Sequence, residues 1–354
     1  MRKLFLVTSI LLIATLVLTA CAPAEPPPAE PEAPVEEPTE VIDAPKVETS
    51  EKTILPEMTE VSILTDWYYS TDYAALMSAD YHGYFTERNL DVELRPGGPG
   101  IRAANDLITG KVDFGIALAE NVILATAAGG EFTTFYATYQ VSPMGLMVHE
   151  ESGARSFEDI IEKDMTVRIF PGQVFWEVLK YENDIKLEEV MWDGTMTAWI
   201  HEGINWADQA FATTNPYHAM QEGANPVHIS ATQLGFRSYA TTYFTTKQFV
   251  DENPMVVKAF AEALREGHEI FFEDPEPVVR HITELNEDFM FEVGMFATDV
   301  MRVLCVGEAT EELGLGAMRG EVWSDVASRM YAAGIIDVDV DADELWTNDF
   351  LPPK

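Results

Sequence analysis

Short apolar runs alternate with segments whose apolar residues recur at helical spacing. The first run, Val61 to Asp66, gives way to an aromatic, hydroxyl-bearing turn, Trp67-Tyr68-Tyr69-Ser70-Thr71. A helical pattern starts near Asp72, whose carboxylate suits the exposed N–H groups of a first turn and reads as a helix cap. A second run, Leu90 to Leu94, ends in Pro96-Gly97-Gly98-Pro99-Gly100, and a helix follows to Gly110. The third, Asp113 to Leu118, ends beside Glu120. Strand, loop and helix in this order predict a parallel sheet covered by helices. Ligands of such sheets sit at the carboxyl ends of the strands. Here those ends carry Trp67 to Thr71, the Gly-Pro loop and Ala119 to Asn121.

The same grammar recurs downstream. Phe132 to Gln140 and Gly145 to His149 are β-rich, and Ser156 to Asp159 has capping-box spacing. Thr166 to Ile169 reads as a strand ending in Phe170-Pro171-Gly172-Gln173, followed by a helix from Val174 to Glu182. Trp206 to Phe211 leads into Asn215-Pro216-Tyr217, with Pro placed for a helix start. Tyr239 to Thr246 is strongly β and carries the chain back to the first set of strands. From Gln248 onward the pattern is helical: Met255 to Phe272, Val278 to Leu285, Phe289 to Leu304 and Val322 to Ala333.

Ahead of these elements, Arg2 and Lys3 precede an apolar run, Leu4 to Leu18, that stops at Ala20-Cys21. Residues 1–20 read as a secretory signal peptide, too short and wrongly flanked for an ordinary membrane span. Leu18-Thr19-Ala20-Cys21 looks like a lipobox, which implies lipidation of Cys21 and a membrane-anchored protein on the extracytoplasmic face. Residues 21–58 are rich in Pro, Glu, Ala and Thr and read as a disordered acidic tether. The remainder is long enough for two lobes, expected as 59–143 with 246–354 and, between them, 144–245. The formal net charge of −38 excludes nucleic acid as a partner, which needs a basic footprint. It also disfavours capture of a polyanion by long-range attraction. Of the 2 Cys, Cys305 lies in an apolar stretch and reads as a buried, inert thiol. The 7 His have no close metal spacing, so neither a metal nor a cofactor is expected.

Four stretches carry a resemblance. They are Asp66-Trp67 with the helix to Gly83-Tyr84-Phe85 and Leu90-Asp91-Val92-Glu93; Gly110-Lys111-Val112-Asp113-Phe114-Gly115-Ile116; Gly223-Ala224-Asn225-Pro226-Val227; and the Tyr239 strand with Asn253-Pro254-Met255 to Phe260. In that order they resemble a type II periplasmic substrate-binding protein of an ABC importer. More closely, they resemble the family of thiamine-precursor binding proteins, riboflavin-binding importer lipoproteins and fungal thiamine-pyrimidine synthases. The resemblance implies two α/β lobes joined by two crossover strands, near Ser142 to Val148 and Ala240 to Thr245. It also implies a monomer that closes on a small planar ligand and delivers it to a membrane permease, with no bond made or broken.

Aromatic faces from two lobes can sandwich a planar heterocycle. The rings proposed for this are Trp67, Tyr68, Tyr139, Phe175, Tyr217 and Tyr239. Glu120 is placed to accept from ring N–H groups or to sit as an exposed first-turn carboxylate. Ser70, Thr71, Gln173 and Asn215 are candidates for ring carbonyls or hydroxyls, and Gly98 for close backbone approach. Tyr69 to Tyr73 lacks the His of the thiamine-pyrimidine pattern, which turns the reading towards riboflavin, with the pyrimidine precursor second. A sulfonate- or nitrate-type anion is the third reading, served by Ser70, Thr71 and the turn before Val174. An enzyme like the fungal synthases is a fourth; the Cys-rich motif of those enzymes is missing here.

Overall fold

The computed structural model describes residues 52–354 apart from 194; the signal-peptide and lipidation expectations, and the tether expectation as far as 51, lie outside the described residues. Residues 52–58, expected as the end of the tether, are instead anchored to the fold: Thr53 and Leu55 are buried, and the Thr53 N–H and hydroxyl each donate to Glu262 at 2.8 Å. Among the described residues there are ten strands: β1 (Thr59–Leu64), β2 (Leu90–Arg95), β3 (Phe114–Ala117), β4 (Phe132–Tyr139), β5 (Met144–His149), β6 (Thr166–Ile169), β7 (Glu189–Met191), β8 (Trp206–Phe211), β9 (Pro226–Ser230) and β10 (Ala240–Thr246). They form two five-stranded mixed sheets, ordered β2-β1-β3-β10-β4 and β7-β6-β8-β5-β9. In the first, β1 runs parallel to β2 and β3, with β10 antiparallel to β3 and β4. In the second, β6 runs parallel to β7 and β8, while β5 runs antiparallel to β8 and β9.

The helices are α1 (Ala74–Tyr81), α2 (Ala103–Ile108), α3 (Ala119–Ala127), α4 (Phe157–Glu162), α5 (Val174–Asn183), α6 (Thr197–Glu202), α7 (Asn215–Gln221), α8 (Lys247–Glu252), α9 (Pro254–Glu273), α10 (Glu276–Leu285), α11 (Phe291–Leu304), α12 (Glu308–Leu313) and α13 (Gly320–Ala332). None is long and apolar enough to cross a membrane. The Ser156–Asp159 capping box forms at the start of α4. Asp72 does not cap: the Ser70 hydroxyl accepts from the Asp72 N–H, and Asp72 turns its carboxylate elsewhere.

The chain passes between the sheets twice, at 140–143 and at 231–239. The whole of β10 lies in the first sheet, so 240–245 sits with the first set of strands rather than with 144–239. The reason is its pairing with β3 and β4. Behind the first sheet α9 packs on α1. A Cβ on Gly267 would come within 2.6 Å of Ala75 O and Ala79 N, so the contact requires a bare backbone there. The Phe114 and Phe260 rings stack at 4.3 Å beneath it. The second sheet is backed by the inward face of α5: Val174, Phe175, Trp176, Val178 and Leu179 are all buried. Helix α13 contacts both α3 and α5, and its buried Trp323 lies 6.2 Å from the Tyr239 ring. Cys305 is a free, buried thiol.

Candidate functional site

The carboxyl ends of the parallel strands face a common space. From the first sheet come the loop after β1 (Asp66 to Tyr73) and Leu118 after β3; from the second come Phe170 after β6, Trp192 after β7 and Gln209 to Phe211 at the end of β8. Together they enclose a cavity of about 250 Å³, completed by Asn215, Thr241 and the α10–α11 loop residues Asn286 and Phe289. A second compartment of about 360 Å³ shares Asp66, Trp67, Leu118 and Met144 with it and runs past Arg102, Asn105, Asn121 and Gln173.

Local structure explains how the first wall is held. The Trp67 carbonyl accepts from the Thr65 hydroxyl at 2.6 Å and from the Gly97 N–H at 3.2 Å. A Cβ on Gly97 would lie 2.1 Å from Thr65 O, so only glycine allows the two loops to meet. Gly98 backs the Tyr68 ring rather than lining the cavity. Trp67 and Tyr68 meet edge to face at 5.6 Å and remain 44% and 51% exposed, which is unusual for large rings unless something covers them. Opposite them, Phe170 and Trp192 meet edge to face at 5.0 Å. The buried Trp192 Nε1–H has no partner among the described residues.

The polar groups are fixed in complementary senses. Gln209 Oε1 accepts from the Phe170 N–H at 3.0 Å, and Asn215 Oδ1 accepts from the Phe211 N–H at 2.7 Å. Each amide thereby keeps its NH2 end for something else. Asp66 Oδ1 accepts from the Tyr73 hydroxyl at 2.7 Å, and desolvation pushes this carboxyl up to about 6. The Asp72 carboxylate accepts from the hydroxyls of Tyr139 at 2.6 Å, Thr213 at 2.8 Å and Ser70 at 2.9 Å. Burial raises its pKa and the three hydroxyls pull it back. Thr213 follows β8, so this carboxylate ties the two halves together directly. Thr241, a β-branched residue at the second position of β10, has φ of 49° where it meets the cavity. Such strain persists only where surroundings impose it, and it collects at binding sites.

Of the residues singled out in the sequence, Trp67, Tyr68, Ser70 and Asn215 line the inner cavity, and Gln173 lines the outer compartment. The others are placed differently. Phe175 faces inward from α5 into the core. Tyr239 is buried, its hydroxyl accepting from the Arg319 N–H at 2.8 Å. Tyr217 stands outside the cavity, 5.4 Å from the Phe296 ring. Tyr139 acts at one remove, through Asp72. Thr71 is buried, its hydroxyl has no partner among the described residues, and it does not reach the cavity. Glu120 is neither exposed nor a wall: it is buried and accepts from the Ser238 hydroxyl at 2.6 Å, with its pKa raised by burial. Among the walls not singled out as ligand contacts in the sequence are Asp66, Asp72, Phe170, Trp192, Gln209, Phe211 and Phe289. Phe170, Trp192 and Phe211 share a signal, an aromatic residue at or just after the last position of a parallel strand.

Comparison with known proteins places this geometry. Riboflavin-binding protein RibY of Chloroflexus aurantiacus is 22% identical, with 99% of each chain covered. A 4-amino-5-hydroxymethyl-2-methylpyrimidine phosphate synthase of Legionella pneumophila is 21% identical over 82% of this chain and 92% of its own. Among solved structures, the periplasmic aliphatic sulphonate binding protein SsuA of Escherichia coli superposes with a TM-score of 0.63 at 14% identity, covering 83% of this chain and 94% of that one. The periplasmic nitrate-binding protein NrtA of Synechocystis gives 0.56 at 14% identity, covering 83% and 87%. Two mixed sheets with a cleft at their strand ends are thus the periplasmic-binding-protein fold. The sequence profile described as NMT1/THI5 like matches residues 70–277, which include both sheet crossings and most of the cavity wall, and the chain belongs to that family.

Proposed function

We propose that the protein is the extracytoplasmic substrate-binding component of an ABC importer, lipid-anchored through Cys21. In this reading it captures a planar heteroaromatic vitamin or precursor by cleft closure and hands it to a membrane permease. The preferred ligand is riboflavin. The observation that carries this reading is the make-up of the inner cavity: it is walled by aromatic rings, holds two carboxylates, and has no Lys, Arg or His among its described lining residues. An imide edge presents carbonyl, N–H, carbonyl. The free amide ends of Gln209 and Asn215 match the carbonyls, and Asp66 matches the N–H. Stacked rings add about 0.5–1.5 kcal/mol per pair beyond burial. The two compartments together fall within the range of roughly 300–1,000 Å³ usual for small-molecule sites. A sulfonate or nitrate would face two carboxylates and no cation in the inner cavity, so the anion reading loses ground.

A thiamine pyrimidine precursor remains the second reading. A single aminated ring fits the inner cavity alone, and the paired carboxylates Asp66 and Asp72 suit its amino group. The enzyme reading gains little from the site: the Ser70 hydroxyl donates to Asp72 at 2.9 Å, but that carboxylate is already shared with the hydroxyls of Tyr139 and Thr213. A thermal-shift panel separates these. Riboflavin at 100 times its dissociation constant should raise Tm through about 2.7 kcal/mol of linked stabilisation, while taurine and nitrate should not. A shift with an alkanesulfonate and none with riboflavin overturns the ligand assignment; a shift with the aminopyrimidine alone selects the second reading.

A further inference from the structure

The outer compartment differs in chemistry from the inner one. Its polar walls are three carboxamides, half-buried Asn121 and Gln173 and exposed Asn105, with Asp66 where it meets the inner cavity and Arg102 also exposed at the edge. In the inner cavity the amides of Gln209, Asn215 and Asn286 are each tied to a backbone group. In the outer compartment none of the three amide side chains has a hydrogen-bond partner among the described residues. Asn105 and Asn121 stand on α2 and α3, which come after β2 and β3, while Gln173 precedes α5 in the other half. A ligand touching all three therefore spans the cleft.

A carboxamide donates through nitrogen and accepts through oxygen, and an alcohol does the same through one atom. Three free amides accordingly match a chain of hydroxyls. They match a phosphate or sulfonate less completely, because an oxyanion only accepts and leaves each amide oxygen without a donor. Asp66 borders this compartment too, and its carboxylate repels an anion. Arg102 is the one cation among the described wall residues; the only hydrogen bond of its guanidinium among the described residues goes to the neighbouring Ile101 carbonyl at 3.4 Å, and it is exposed.

We propose that the compartment bounded by Asn105, Asn121 and Gln173 is a subsite for an uncharged, polyhydroxylated tail attached to the planar ring held in the inner cavity. This deepens the planar-ligand reading and rests on it. The two compartments meet at Asp66, Trp67, Leu118 and Met144, so one molecule can occupy both without a break. Closure on the tail brings Gln173 against the first-sheet helices, which couples tail recognition to the movement of the halves.

Calorimetry with three probes tests this: riboflavin, lumiflavin (the same ring with a methyl group in place of the hydroxylated chain) and riboflavin 5′-phosphate. The wild-type protein should bind riboflavin about tenfold more tightly than lumiflavin. The phosphate ester should bind no more tightly than riboflavin. In the double variant Asn121→Ala, Gln173→Ala, riboflavin should weaken to within about twofold of lumiflavin, with lumiflavin unchanged. Unchanged lumiflavin binding also shows that the variant is folded. Equal affinity of lumiflavin and riboflavin for the wild type overturns the subsite alone, and so does tighter binding of the phosphate ester, which would mark an anion site. A double variant that loses both flavins equally also overturns it. Failure of every flavin to bind the wild type overturns the planar-ligand reading itself.

Discussion

Asp66 is the residue at which the chemistry of the cleft is concentrated. It borders both compartments, spends one oxygen on Tyr73, and is held up to about 6 by desolvation. A folded-state pKa above the ordinary carboxyl value means that, between the unfolded pKa and about pH 6, the native protein holds a proton at Asp66 while the unfolded chain does not. Its burial therefore favours the fold at low pH, and that contribution is lost as pH rises from the unfolded pKa through about 6. For a ligand N–H that needs the carboxylate as acceptor the sign is the reverse. Affinity for riboflavin should be level above pH 7 and weaken below pH 6, approaching tenfold per unit. Asp66→Asn should bind more weakly at pH 7.5 and show a flattened profile. Wild-type calorimetry giving one dissociation constant from pH 5 to 8 would remove Asp66 from the ligand contacts. Asp72 plays a different part: three hydroxyls from three segments converge on it, so its carboxylate organises the wall between the halves.

At the scale of elements, the site is made by the loops at the strand ends, and the C-terminal helices brace it. Helix α13 lies against α3 on one side and α5 on the other, and Arg329 grips Glu182 of α5 through two hydrogen bonds of 2.8 and 2.6 Å. Beyond it the chain pairs with the free edge of β4: Leu345 O accepts from the Thr134 N–H and the Thr347 N–H donates to Thr134 O. That covers an edge otherwise open to pairing with another chain. Trp323 is fully buried at this junction, so Trp323→Ala should cost about 3–5 kcal/mol and lower the thermal midpoint by several degrees. A midpoint within about two degrees of wild type in a calorimetric scan would show that α13 does not brace the halves. Much of this architecture was legible in the sequence. Thr166–Ile169 and Trp206–Phe211 are the strands the apolar pattern marks, and β10 is the β-rich run read at Tyr239 to Thr246, although the chain has already crossed back before it, at 231–239. Strand β9 was not, because Pro226-Val227-His228-Ile229-Ser230 alternates too briefly to stand out. The site was legible on its first wall, at Trp67, Tyr68 and Ser70, and on the second only at Asn215 and Gln173. Phe175 and Phe170 are equally aromatic in sequence, and which of them faces the cleft depends on the burial of one face of α5, a tertiary fact. Asp72 misled for a related reason: its position suits a cap, yet three hydroxyls outside the helix compete for its carboxylate.

For the whole molecule, two sheets with facing strand ends make a clamp whose inner surfaces are aromatic and whose polar groups come from both sides. The formal net charge of −38 adds a field that disfavours anions and leaves an uncharged ring system unaffected. Closure of such a clamp needs a ligand that touches both halves and so stabilises one arrangement over the other. Two of the cavity walls, Trp67 and Trp192, are themselves reporters. The most direct test is a titration of riboflavin into the wild-type protein, read by tryptophan emission. The expected result is saturable quenching at one ligand per chain, shifted about tenfold to higher concentration in Trp67→Ala. Emission that stays unchanged to millimolar riboflavin, or quenching that is the same in Trp67→Ala, would contradict the stacking of a flat ring between the two halves.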